Sequence, residues 1–113
     1  MTTERAAPAT VEEWLDALEP APPEALHARL RELLGAHLGR PVGDVPSVCL
    51  AAGEAQLATL LAERATDRAS ALDLLAIDAL VTYAFEAVAD APERLEALAT
   101  DAMARIAEIP EAS

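Results

Sequence analysis

Residues 72–88, LDLLAIDALVTYAFEAV, decide the fold. Leu72, Leu75, Ala76, Ala79, Leu80, Ala84, Ala87 and Val88 recur at three- and four-residue steps, the spacing of one helical face. Leu74, Ile77, Val81 and Phe85 occupy much of the opposite side, so the segment lacks a broad polar half. A helix that is apolar nearly all round belongs inside a bundle or a membrane. Asp73, Asp78 and Glu86 interrupt the run, and a spanning helix needs about 20 mostly apolar residues. That leaves the bundle, and we expect segment 70–89 to be a buried central helix covered by the rest of the chain.

Polar residues within this segment follow two patterns. Asp78, Thr82, Glu86 and Asp90 are spaced by four and form a narrow stripe. It reads as the solvated edge of a core helix, the alternative being carboxylates that line a cavity. Asp73 lies nearly opposite. With Ser70 it makes a Ser-x-x-Asp capping pair, which would start the helix there and set a carboxylate against the positive end of the helix dipole.

Toward the C-terminus, Asp90-Ala91-Pro92-Glu93 offers an N-cap, an early proline and an acid at the third position. The helix it opens, 91–109, carries Leu95, Leu98, Ala99, Ala102, Ile106 and Ile109 on one face and is stopped by Pro110. So short a connection makes it an antiparallel neighbour of the central helix. On the other side, GEAQLATLLAERA predicts a helix over 53–66 with Leu57, Leu60 and Leu61 on one face, ended by Thr66 and Asp67. Residues 47–52 read equally as a turn or as an earlier start of that helix. The stretch GRPVGDVPS, 39–47, is rich in turn residues and is the natural place for a functional loop.

Further upstream, Leu26, Leu30, Leu33, Leu34, His37 and Leu38 share a face of a helix over 22–38. Gly39 stands where a left-handed stop belongs, with Pro41 beyond. Gly35 would then be an interior glycine, costing roughly 1 kcal/mol against alanine and suited to a close helix crossing. Thr10-Val11-Glu12-Glu13 is a capping box that opens a first helix over 10–19. Its stripe of Val11, Trp14, Leu15 and Leu18 makes Trp14 a core anchor. Residues 1–9 read as a flexible N-terminal arm and 10–110 as a single helical domain.

Composition agrees. Of 113 residues, 53% are hydrophobic, many of them alanine, with one Trp, one Tyr and one Phe, which favours helix over strand. The expected fold is all-α: four main helices and the short first one, with 70–89 inside. Net charge is -12, from 20 acidic residues against 8 basic ones, all Arg. That balance repels nucleic-acid phosphates and anionic lipid, so neither nucleic acid nor membrane is expected as a partner. Cys49 is the only cysteine, and MTTERAAPAT contains no apolar signal core. A cytoplasmic location is the expectation.

Few residues invite chemistry. Glu24-Ala25-Leu26-His27 resembles half of the Glu-x-x-His ligand motif of ferritin-like diiron bundles. The resemblance implies Glu24 and His27 as metal ligands, but Leu34 stands where the glutamate before His37 would be. His37 reads as a neutral histidine near a helix end, and Cys49 has no adjacent base or cation. With neither phosphate loop nor zinc spacing, we expect no catalytic residue and no cofactor. The function expected is a non-catalytic protein-interaction or regulatory module, acting as a homodimer. Three modest amphipathic helices leave apolar surface over, and Leu74, Ile77, Val81 and Phe85 are the interface candidates. The alternative is a bundle that binds a small ligand or metal between its helices, through Glu24 and His27 with Asp78 and Glu86.

Overall fold

The computed structural model describes residues 7–63, 68–89 and 91–109. Most of the expected arm, the Thr66–Asp67 helix end, Asp90 and the Pro110 stop lie outside the described residues. Within them the chain is all-α: α1 (Val11–Asp16), α2 (Glu24–Leu34), α3 (Val45–Glu63), α4 (Arg68–Glu86) and α5 (Pro92–Glu108), with 3₁₀ turns at Gly35–His37 and Val42–Asp44.

Helix α1 starts as its capping box predicts, with Thr10 Oγ1 accepting from the Glu13 N–H at 3.2 Å. The first N–H groups of a helix have no intrahelical acceptor, and two of them find one far along the chain. Val11 N–H donates to the Arg40 carbonyl and Glu12 N–H to that of Leu38, both at 2.9 Å, while Val42 N–H returns a bond to Ala9. Part of the turn-rich stretch 39–47 thus helps to cap α1, through Arg40 and the return bond of Val42, while Val45 onward belongs to α3. The helix stops at Asp16 rather than near residue 19, with Ala17 as its C-cap, whose N–H still bonds back to Glu13 and Trp14.

Helix α2 also ends early, at Leu34 instead of Leu38. The stop is Gly35, with φ 42° and ψ -116°, not Gly39, and no helix crosses there: a side chain at Gly35 would meet nothing within 4 Å. Gly35→Ala is therefore expected to cost about 1–2 kcal/mol through backbone strain alone. Urea unfolding of the variant measures it, and an unchanged midpoint would show that the turn can relax.

Helix α3 begins at Val45, eight residues before the expected start at 53, so that Val48–Ala52 is helical and Gly53 lies mid-helix. What holds Gly53 in place is packing. A Cβ there would sit 3.5 Å from Leu80 Cβ and from Val81 Cγ2. On α4, Ala76 and Ala84, one turn either side of Leu80, are fully buried. With small residues on both helices, α3 and α4 make the most extensive helix contact among the described residues. By length and hydropathy, Val42–Glu63 could also cross a membrane (22 residues, mean hydropathy 1.4); here its helix α3 packs on α2, α4 and α5.

The segment 70–89 is helical to Glu86, and Ala76, Leu80 and Ala84 on its inner side are fully buried. Its burial is one-sided, however: Leu74 and Leu75 are 55% and 59% exposed. Among the described residues the helix with the most neighbours is α3: α2 bears on both α3 and α4, while α5 bears on α3 and leaves one side of α4 open. Ser70 is no N-cap, since it is buried within the helix. Asp73 turns away to bind α2 and α3, as described below. Helix α5 has Pro92 at its start and Ala91, without a side-chain bond, as its N-cap. It rests chiefly on α3 rather than on α4, the neighbour expected from the short connection. Trp14 is half-buried and meets Tyr83 edge-on, ring centroids 5.5 Å apart, anchoring α1 to the core.

Candidate functional site

Three apolar stripes converge under α5. From α3 come Leu50, Gly53 and Leu57, from α4 Ile77, Val81 and Phe85, and from α5 Ala102, Met103 and Ile106; between them lies an open cavity of about 250 Å³. An engineered apolar cavity of about 150 Å³ accepts benzene, so this one has room for a large apolar group. Because α5 leans on α3, the space between α4 and α5 stays unfilled. A shallower groove continues it, sharing Val81 and Phe85 and adding Thr82, Glu86, Ala89 and Leu95. Together they form a cleft along the α4/α5 boundary. Met103 is 73% exposed and Ile106 53%.

Three of the four interface candidates are therefore brought together: Ile77 is buried, and Val81 and Phe85 are half-buried, all in this cleft. Leu74 lies one turn further along the same stripe, in the open. Asp78 and Glu86 are both exposed, and Glu86, with Thr82, borders the shallower groove beside Val81 and Phe85. Asp78 stands on a solvated edge outside it, whereas Glu86 is at once solvated and at the rim of the groove.

One residue of the site escaped the sequence reading. Glu54 is 7% exposed, and neither of its carboxylate oxygens has a hydrogen bond. Its nearest cation is Arg105, whose Nε stands 3.8 Å from Oε2, and whose buried Nη1 is likewise unbonded. Burial pushes the Glu54 carboxyl above the usual glutamate range; Arg105 opposes the shift and Asp101 adds to it. The signal was present, since Glu54 lies four residues after Leu50 and three before Leu57, on the apolar face. A helix taken to start at Gly53 puts the same residue in a first turn, where an acid is unremarked.

The other charged groups tie helices together. Asp73 accepts from Arg29 Nε at 2.5 Å and from Gln56 Nε2 at 3.0 Å, joining α2, α3 and α4 at one carboxylate. The Arg29 guanidinium is held above its ordinary value, chiefly by the bond to Asp73. Of the diiron-like pair, Glu24 is exposed, and His27 Nε2 lies 3.0 Å from Asp16 Oδ1. Arg31 reaches the same Asp16 and also Glu12. The arrangement fastens α2 to α1. Among the described residues no three His, Cys, Asp or Glu side chains come together as metal ligands would. His37 is exposed at the end of the 3₁₀ turn rather than on the apolar stripe. Cys49 is fully buried, and burial pushes its thiol up to about 12, which keeps it protonated and unreactive. Comparison with family models, curated proteins and solved structures finds no match to this chain.

Proposed function

We propose that the protein is a non-catalytic interaction module, which self-associates through the outer side of α4 and offers the α4/α5 cleft to a further protein segment. The observation that carries this reading is the apolar surface that the fold leaves uncovered: Leu74 and Leu75 on α4, and the cleft with Met103 and Ile106 further along the stripe that Leu74 shares. Soluble proteins keep such patches small unless they serve a contact. A two-fold seam would bury four leucines, worth roughly 1.5–3 kcal/mol apiece at full burial. That is of the same order as the entropic cost of association, about 4–15 kcal/mol, so the dimer should be of modest affinity.

Sedimentation from low to high micromolar concentration tests the self-association. The expected result is a concentration-dependent dimer, and a monomer throughout for the doubly substituted Leu74→Glu, Leu75→Glu chain. A parent protein that stays monomeric at every concentration would remove the dimer from the reading.

A further inference from the structure

We infer that the occupant of the α4/α5 cleft is a basic amphipathic helix of a partner protein. The inference rests on the reading of the cleft as a docking surface and names what it takes.

The shape suits a helix. Between Leu95 near one end and Ile106 near the other, α5 advances about 1.5 Å per residue, enough for several apolar side chains along one face of a docked helix. The cavity below Val81 and Met103, about 250 Å³, would receive one large apolar anchor of the kind that dominates binding at helix-in-groove sites. Met103, unbranched and 73% exposed at its edge, can re-pack around whatever enters.

Charge selects the partner. On α4 the stripe Asp78–Thr82–Glu86 runs one step round the helix from Val81 and Phe85. On α5, Glu96 and Thr100 precede Met103 on the exposed flank. Asp78, Glu86 and Glu96 take part in no ion pair among the described residues. By contrast Glu12, Asp16, Glu32, Asp44 and Asp73 each face an arginine. Both arginines of α5 lie on its other flank: Arg94, Leu98, Asp101 and Arg105 are spaced four, three and four, and Arg105 turns to Glu54 on α3. The cleft is thus an apolar floor with Glu86 on its α4 rim, flanked further out by the exposed Asp78 on α4 and Glu96 on α5, on a chain of net charge -12. Lysines or arginines flanking the apolar face of an incoming helix meet these carboxylates. A second copy of the chain brings acid against acid, which costs affinity and slows encounter.

The test uses the full chain and synthetic 18-residue helical peptides, with binding read by calorimetry and by amide chemical shifts. One has leucines on one face and lysines on the other. A second has glutamines in place of the lysines, a third glutamates, and a fourth is the Leu/Lys composition scrambled so that no apolar face exists. The Leu/Lys peptide should bind about tenfold or more tightly than the Leu/Gln peptide, shifting amides of Val81, Phe85 and Met103, and the Leu/Glu peptide should not bind. Met103→Glu with Ile106→Glu, both exposed positions, should abolish binding. Glu86→Lys with Glu96→Lys should weaken the Leu/Lys peptide about tenfold and strengthen the Leu/Glu one. Equal binding of the Leu/Lys and Leu/Gln peptides in the cleft would overturn the basic partner and leave the docking surface standing. Equal binding of the scrambled peptide, or no binding of any helix, would overturn both.

Discussion

Gly53→Leu is expected to lower the stability of the fold by about 2–3 kcal/mol, whereas Gly53→Ala should leave it unchanged or raise it by up to about 1 kcal/mol. The two outcomes differ because of the distances across the α3/α4 seam. A Cβ at position 53 would stand 3.5 Å from Leu80 Cβ, 3.5 Å from Val81 Cγ2 and 3.7 Å from the Ile77 carbonyl oxygen, all ordinary van der Waals contacts. Alanine therefore fits without displacement and removes the entropic cost of a glycine in mid-helix. Atoms beyond Cβ directed at α4 would enter space held by the fully buried Leu80 and the helix backbone, which a densely packed interior does not absorb. The only relief is the cavity that Gly53 helps line, and reaching it confines the leucine to a restricted rotamer. Denaturant unfolding of the two variants measures both effects. A leucine variant as stable as the parent would mean that the seam, or the cavity beside it, has room at Gly53.

Glu54→Met should raise stability by about 2 kcal/mol near neutral pH, and the gain should shrink as the solution is acidified. A buried ion pair can cost more in lost hydration than it returns, and an apolar replacement of similar volume is often stabilising by about 1–4 kcal/mol. Glu54 meets the conditions for that outcome, with no hydrogen bond to either oxygen and its cation 3.8 Å away. Arg105 would not be stranded by the change, since its side chain is 37% exposed and keeps Asp101 at 3.6 Å. The pH dependence follows from the direction of the shift. The folded-state carboxyl titrates above its ordinary value of 4.5. Between that value and the raised one, the folded state holds a proton that the unfolded state has released. Glu54 therefore makes the fold less stable as pH rises through this window, until the carboxylate is fully charged. Thermal melts of parent and variant at several pH values measure this contribution as the difference between the two. A variant less stable than the parent at pH 7 would show that the attraction of Arg105 outweighs the burial.

Both predictions turn on α3, which the sequence underplays. Its pattern is nearly featureless because it is buried on more than one side: Val45, Val48, Cys49 and Leu50 run almost consecutively before Gly53. Continuous apolar character followed by glycine looks like a break when only neighbours in sequence are considered. The acid at position 54 then looks like a first-turn residue. The conformation of Gly53 and the burial of Glu54 are both consequences of α4 and α5 lying against α3.

What the amino-acid sequence determined by itself is the local order: an all-α chain, the Thr10 cap, the inner face of α4 through Ala76, Leu80 and Ala84, and the pairing of apolar and acidic stripes on α4. Helix propensity, capping and the 3.6-residue period act over one or two turns, and they need no knowledge of what lies across the seam. Only the tertiary structure decided which helix is most enclosed, that Gly35 rather than Gly39 ends α2, and that α5 settles on α3 and leaves a cleft beside α4. Those outcomes depend on residues far apart in sequence competing for the same surface, and periodicity says which side chains share a face without saying what covers it.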